Sequence, residues 1–209
     1  AGRALLVFPF DAHSLVMAAL SRKHLEAAGA AVDLLCYPDT PDGPVWLWAG
    51  ALADIEPTAY ERLVVIGDRP DPNVTPRLFE TIRRWRAAGT AVSVLNRYDA
   101  NWLRVPGLVE LGVDVTLGGD WAYFWGDPAG SPDLEWGRVA ALCVRDPTLS
   151  TVGVTDRERA VTSGFLKAVF DVLAASAPGD SAGWRAHAEP ILERIAADDQ
   201  ASFVDQANG

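Results

Sequence analysis

The sequence is short of cysteine, histidine and positive charge. Its two cysteines, Cys36 and Cys143, each stand inside an apolar run and far from any CxxC spacing. That usage predicts two buried thiols in a reducing cytoplasm. Three scattered histidines beside them leave no spacing for a structural zinc site. Lys and Arg number 18 against 28 Asp and Glu, a net charge of −10. Such a surface repels duplex nucleic acid, whose binding draws on cations that neutralise phosphates. A small phosphorylated ligand stays allowed, because one local Arg cluster suffices for it. No apolar run approaches the roughly 20 residues that span a bilayer, and no signal-peptide pattern opens the sequence. A cytoplasmic protein without a membrane partner is therefore expected.

What is present suits a globular α/β chain. Of its 209 residues, 49% are apolar and 22% charged, which excludes wholesale disorder and provides for one substantial core. "RALLVFPF" has strand length, and "SLVMAALSRKHLEAAG" follows with helical spacing and a closing Gly29. "AAVDLLCYP", "RLVVIGD", "TAVSVLN" and "VDVTL" read as further strands. Between the third and fourth, "TPRLFETIRRWRAAG" is an amphipathic helix with Thr75 as N-cap, Pro76 at N1 and a closing Gly89. Its "RRWR" run reads as a solvated helix face. The turn-rich stretch 39–60 predicts irregular structure, with a short helix around Val45–Ala53. After Asp133 strands stop, and helices are predicted near Leu134–Val144, Asp156–Ala175 and Trp184–Ala197. Alternating strands and helices mark a parallel sheet of about five strands with helices on both faces. Residues 1–133 form that α/β core, and 134–209 a helical C-terminal portion of the same domain.

Ligands of open parallel sheets bind beyond the carboxyl ends of the strands. Strand one delivers Asp11, His13 and Ser14 there, strand three Asp68 and Arg69, strand four Asn96, Arg97, Tyr98 and Asp99. Each has a plainer alternative: a helix cap for Asp11, Ser14 or Asp99, a solvated turn for His13, an Asx-turn for Asp68. Convergence of three loops favours a shared site. Asp11, His13 and Asp68 are the candidate catalytic residues, and Mg²⁺ or Mn²⁺ the cation that such donors suit. The loop "GGDWAYFWGDP", with Trp121 and Tyr123, offers a stacking platform for a base or sugar. Its plainer alternative is a lid or a homodimer contact.

At these residues the chain resembles the DHH phosphoesterase superfamily. That family's first motif, approximately Asp-x-Asp-Gly leaving strand one, is matched by "DAHSLVMAAL", with His13 in place of the second Asp and Ser14 in place of the Gly. Its second motif, an Asp ending a later strand, is matched by Asp68 in "VVIGDRPDPN". The Asp-His-His triplet is replaced by Asn96, Arg97 and Tyr98, and a later family aspartate corresponds to Asp146 in "LCVRDPTLS". The resemblance implies a metal-dependent phosphoesterase fold. It assigns Asp11, His13, Asp68 and Asp146 as ligands if a metal is retained. Ser14, Arg69, Asn96, Arg97, Tyr98, Trp121 and Tyr123 are the candidate ligand-binding residues, with Arg97 and Arg69 acting in place of a metal where none is held. A neutral amide and a guanidinium at Asn96 and Arg97 cannot hold two dications close together. A second rhythm, "YERLVVIGDRP", helix, "GTAVSVLN", is similar to an amidotransferase-like fold family, but no cysteine stands on the elbow that its chemistry needs.

Three functions follow as expectations. The chain binds a nucleotide or other small phosphorylated molecule at an altered two-metal centre; or it is an active phosphoesterase with a changed ligand set; or it is an assembly protein that uses its Trp-rich loops.

Overall fold

The computed structural model describes residues 2–38, 52–66, 75–96, 110–117, 132–143, 154–176 and 184–208. The predicted helix around Val45–Ala53 falls almost wholly outside them. Strands β1 (Arg3–Phe10), β2 (Ala31–Pro38), β3 (Arg62–Ile66), β4 (Ala91–Asn96) and β5 (Asp114–Leu117) form one sheet in the order β2-β1-β3-β4-β5. All four pairings are parallel. The helices are α1 (Ala12–Ala27), α2 (Thr75–Ala87), α3 (Pro132–Cys143), α4 (Asp156–Ala175), α5 (Trp184–Ala196) and α6 (Gln200–Asn208). The α/β class and the parallel five-stranded sheet are as the alternation predicts.

β1 is apolar along its length because it is covered on both faces. Its side chains alternate: Leu6, Phe8 and Phe10 enter one hydrophobic cluster, while Leu5 and Val7 enter the other. The larger cluster holds α1 and residues of α3, α4, α5 and α6. The smaller packs Ile82 and Trp85 of α2, with Leu52, against β1, β3 and β4. The C-terminal helices thus share a core with the first strand. α1 lies between the sheet and these helices, which is why His13 to Ser21 are buried without a break. The first half of α1, enclosed on all sides, has no polar face to reveal its period, and only its last turns carry exposed residues. At its end Gly29 takes φ 87, a left-handed conformation that a side chain would strain.

Three features differ from the sequence expectations. α1 begins at Ala12, so His13 and Ser14 lie inside the helix, and His13 is 5% exposed instead of solvated. Thr75 is the first residue of α2, not its cap, a shift of one position. The "RRWR" run is more than a solvated face. Arg84 donates to the carbonyls of Ala53 (2.7 Å) and Ile55 (2.9 Å), and Arg86 to those of Leu111 (3.0 Å) and Thr90 (3.1 Å). Both guanidiniums tie chain segments that flank α2, and Trp85 between them is fully buried.

The helix α6 is an addition to the three helices that the sequence predicts after Asp133. Asp198 takes φ 53 after α5 and turns the chain, and Asp199 accepts from the Ser202 N–H at 3.3 Å to start it. Phe203 then anchors α6 between Trp136 and Phe165, with ring centroids 5.6 and 5.5 Å away in edge-to-face contact. The Trp136 indole N–H donates to Asp198 at 2.9 Å, so turn and aromatic cluster hold each other.

α4 opens with a capping box: the Glu158 N–H donates to Thr155 Oγ1, and the Thr155 N–H to Glu158 Oε2. Thr155→Ala removes the acceptor for that orphan N–H. It is expected to lower stability by about 1 kcal/mol, read as a urea midpoint shift with unchanged slope.

Candidate functional site

The strand order places the site. Chain progression reverses between β1 and β3: β2 lies on one side of β1, while β3, β4 and β5 follow on the other. Connections at such a switch point leave on opposite faces and open a crevice beyond the strand ends. α1 belongs to the cluster on one face and α2 to the other, as that geometry requires. Asp11 follows the last residue of β1 at this place, and β3 ends at Ile66, two residues before Asp68.

Asp11 is extended (φ −132, ψ 159) and is the N-cap of α1. Its Oδ1 accepts from the Ser14 N–H at 2.9 Å and its Oδ2 from the Ser14 hydroxyl at 2.7 Å. One residue therefore fixes both oxygens of the carboxylate. Ser14 itself is fully buried, so its hydroxyl serves to orient Asp11. The cap and the strand-end position are properties of one side chain, and neither excludes the other.

Burial, and after it the Asp11 carboxylate, push up two thiols. Cys36 lies at the carboxyl end of β2 beside Phe8 of β1, and its thiol is raised well above its ordinary value. Cys143 ends α3 and is half-buried, where the sequence predicts a buried thiol; its thiol is pushed up to about 12. Charge in a poorly solvated place disfavours a second anion nearby. The strand-end rule, applied to β2, would have found Cys36; nothing local in the sequence brings Cys143 to Asp11.

These shifts have a consequence in alkali. Between pH 9.0, the ordinary thiol value, and about 12, the native Cys143 keeps a proton that the unfolded chain has lost. The native state then binds more protons, so stability falls as pH rises through this window. Cys36 and Tyr60 are shifted in the same direction. The urea midpoint at a pH of about 10.5 is expected below that at about 8, and Cys143→Ala should reduce the difference.

Of the other sequence-predicted site residues, Asn96 closes β4 and pairs with Leu117 of β5. Asp68, Arg69, Arg97, Tyr98, Asp99, Trp121, Tyr123 and Asp146 lie outside the described residues. Among the described residues no three His, Cys, Asp or Glu side chains gather closely enough to hold a metal ion. Asp11 is one fixed carboxylate, and His13 is buried in the first turn of α1, so the described donors do not by themselves fit a two-metal centre. No helix among the described residues is long and apolar enough to cross a membrane.

No known family's sequence profile matches the chain, and no curated protein matches it at a significant level. Among solved structures, the chain is similar to RecJ from Thermus thermophilus, whose crystal structure is in complex with Mn²⁺. The two share 14% identity and superpose with a TM-score of 0.46 over 99% of this chain and 34% of that one. This chain therefore spans about a third of the length of that protein. So remote a likeness assigns neither metal nor substrate.

Proposed function

We propose that the chain binds a nucleotide or other small phosphorylated molecule in the crevice beyond β1, β3 and β4. The observation that carries this reading is the reversal of strand order between β1 and β3, with Asp11 at the end of β1. The resemblance of "DAHSLVMAAL" and "VVIGDRPDPN" to DHH phosphoesterase motifs supports the ligand class, and Asn96 and Arg97 mark where the hydrolase centre departs. Arg97 and Arg69 supply the charge-assisted hydrogen bonds that recognise phosphate. Tyr98, Trp121 and Tyr123 stack on the base. Without the family's ligating carboxylate at position 96 and its imidazole at position 97, hydrolysis is lost and binding persists.

A second reading is an active Mn²⁺- or Mg²⁺-dependent phosphoesterase. The double hydrogen bond from Ser14 favours it, since ligating carboxylates are held in place by such partners. One paired measurement decides. Nucleoside mono- and diphosphates are screened for thermal stabilisation of the full chain, and a generic phosphodiester is assayed for hydrolysis with Mn²⁺. A ligand at about 100 times its dissociation constant is expected to add about 2.7 kcal/mol, without turnover. Turnover abolished by Asp68→Ala would establish the second reading instead. Neither stabilisation nor turnover would move the weight to assembly through the Trp-rich loops.

A further inference from the structure

α4, α5 and α6 enclose a groove of about 420 Å³, in the range of small-molecule sites. Residues of this groove all come from the helical portion, and none belongs to the crevice beyond β1 and β3. Val172 of α4 with Pro190 and Ile191 of α5 give it an apolar floor. Its polar groups are few: Asp171, His187, Arg194 and Gln206.

Asp171 at the rim already has partners. The Lys167 ammonium lies 3.0 Å from Oδ2, and Gln206 donates to the same oxygen at 3.4 Å. Arg194, facing the same groove, makes no direct ion pair among the described residues, although the Asp199 carboxylate lies near enough to favour its charge. Its guanidinium lies flat on Phe203, with Cζ 3.7 Å from the ring centroid. Nε and Nη2 donate to Ser202 Oγ at 3.0 and 2.9 Å, while Nη1 and Nη2 donate to Gln206 Oε1 at 3.3 Å. A half-buried cation held rigidly by neutral oxygens loses little entropy on meeting an anion. Of its five N–H donors these contacts engage four, which leaves one on Nη1.

We infer that this groove binds a small monocarboxylate with an apolar body, its carboxylate on Arg194 and its body on Val172, Pro190 and Ile191. The charge count sets the class. One cation with one open donor, its charge already met in part by Asp199 and with Lys167 engaged by Asp171, answers a single negative charge and leaves no second cation for a phosphate dianion. His187, the other basic group at the rim, adds a donor for the same carboxylate. A cationic ligand is disfavoured by Arg194, and a polar one by the floor.

The test is calorimetric titration of the full chain with octanoate and, as the uncharged match, 1-octanol. Octanoate is expected to bind about tenfold more tightly, the ordinary gain from a charge-assisted hydrogen bond. Arg194→Gln should remove that difference while far-UV circular dichroism stays unchanged. Because Arg194 also supports α6, Ala175→Glu is the second variant: Ala175 is an exposed groove residue, and a carboxylate there should weaken octanoate but not octanol. Equal affinities for the two probes, or no binding of either, would overturn the inference. So would a concentration-dependent dimer in sedimentation that Arg194→Gln dissolves, which would give the groove to a second copy of the chain.

Discussion

Gly164→Ala is expected to destabilise the chain by about 3 kcal/mol, against a helix propensity that favours alanine by about 1 kcal/mol. Gly164 lies in the middle of α4 and is buried. A β-carbon there would overlap the backbone carbonyl of Phe203 in α6. A flexible side chain could swing aside, but a helical carbonyl cannot move without its helix. Phe203 would shift with it, and its edge-to-face contacts with Trp136 and Phe165 would open. Packing of this density is strained even by one added methyl group. With a urea slope of about 2 kcal/mol/M, the midpoint should drop by about 1.5 M. Ser163→Ala, one residue earlier on the exposed side of α4, is the control and should stay within about 0.5 kcal/mol. A neutral Gly164→Ala would mean that α6 does not dock as closely as described.

The sheet is legible because parallel strands covered on both faces are written as nearly unbroken apolar runs, as "RALLVFPF" and "RLVVI" are. α2 is legible through its periodicity, and α4 and α5 are placed to within a residue for the same reason. α6 is not, since a nine-residue helix held mainly by Phe203 carries too little pattern to separate it from a tail. His13 and Ser14 read as turn residues because a polar triplet after a strand resembles a turn, whereas burial of α1 against α3 and α5 lets the helix start at once. The strand-end rule finds the place of Asp11 but not its neighbours. The effect of the Asp11 charge on Cys143 depends on α3 packing against α1, and the Arg194 groove assembles residues from three helices. Neither leaves a local trace in the sequence.

Two substitutions at Asp11 separate its cap from its charge. Asp11→Ala removes the acceptor of the Ser14 N–H and leaves the fully buried Ser14 hydroxyl without this partner. Loss of a cap costs about 1 kcal/mol and an orphaned buried hydroxyl about 1–3 kcal/mol, so a drop of about 3 kcal/mol is expected. Asp11→Asn keeps the cap, because asparagine is as good an N-cap and its amide oxygen can accept the Ser14 N–H. The Ser14 hydroxyl then turns and accepts from the amide nitrogen, so stability should change by less than about 1 kcal/mol. What disappears is the negative charge at the end of β1. If a phosphorylated ligand is held by arginines alone, removing that charge relieves repulsion. Nucleotide affinity measured in chelator should then rise by about fivefold, close to 1 kcal/mol. If a divalent cation bridges Asp11 and phosphate, the same variant should bind more weakly, and only when Mn²⁺ is present. The sign of the change therefore reports which partner the carboxylate faces, and the unchanged fold of Asp11→Asn ensures that the answer concerns charge.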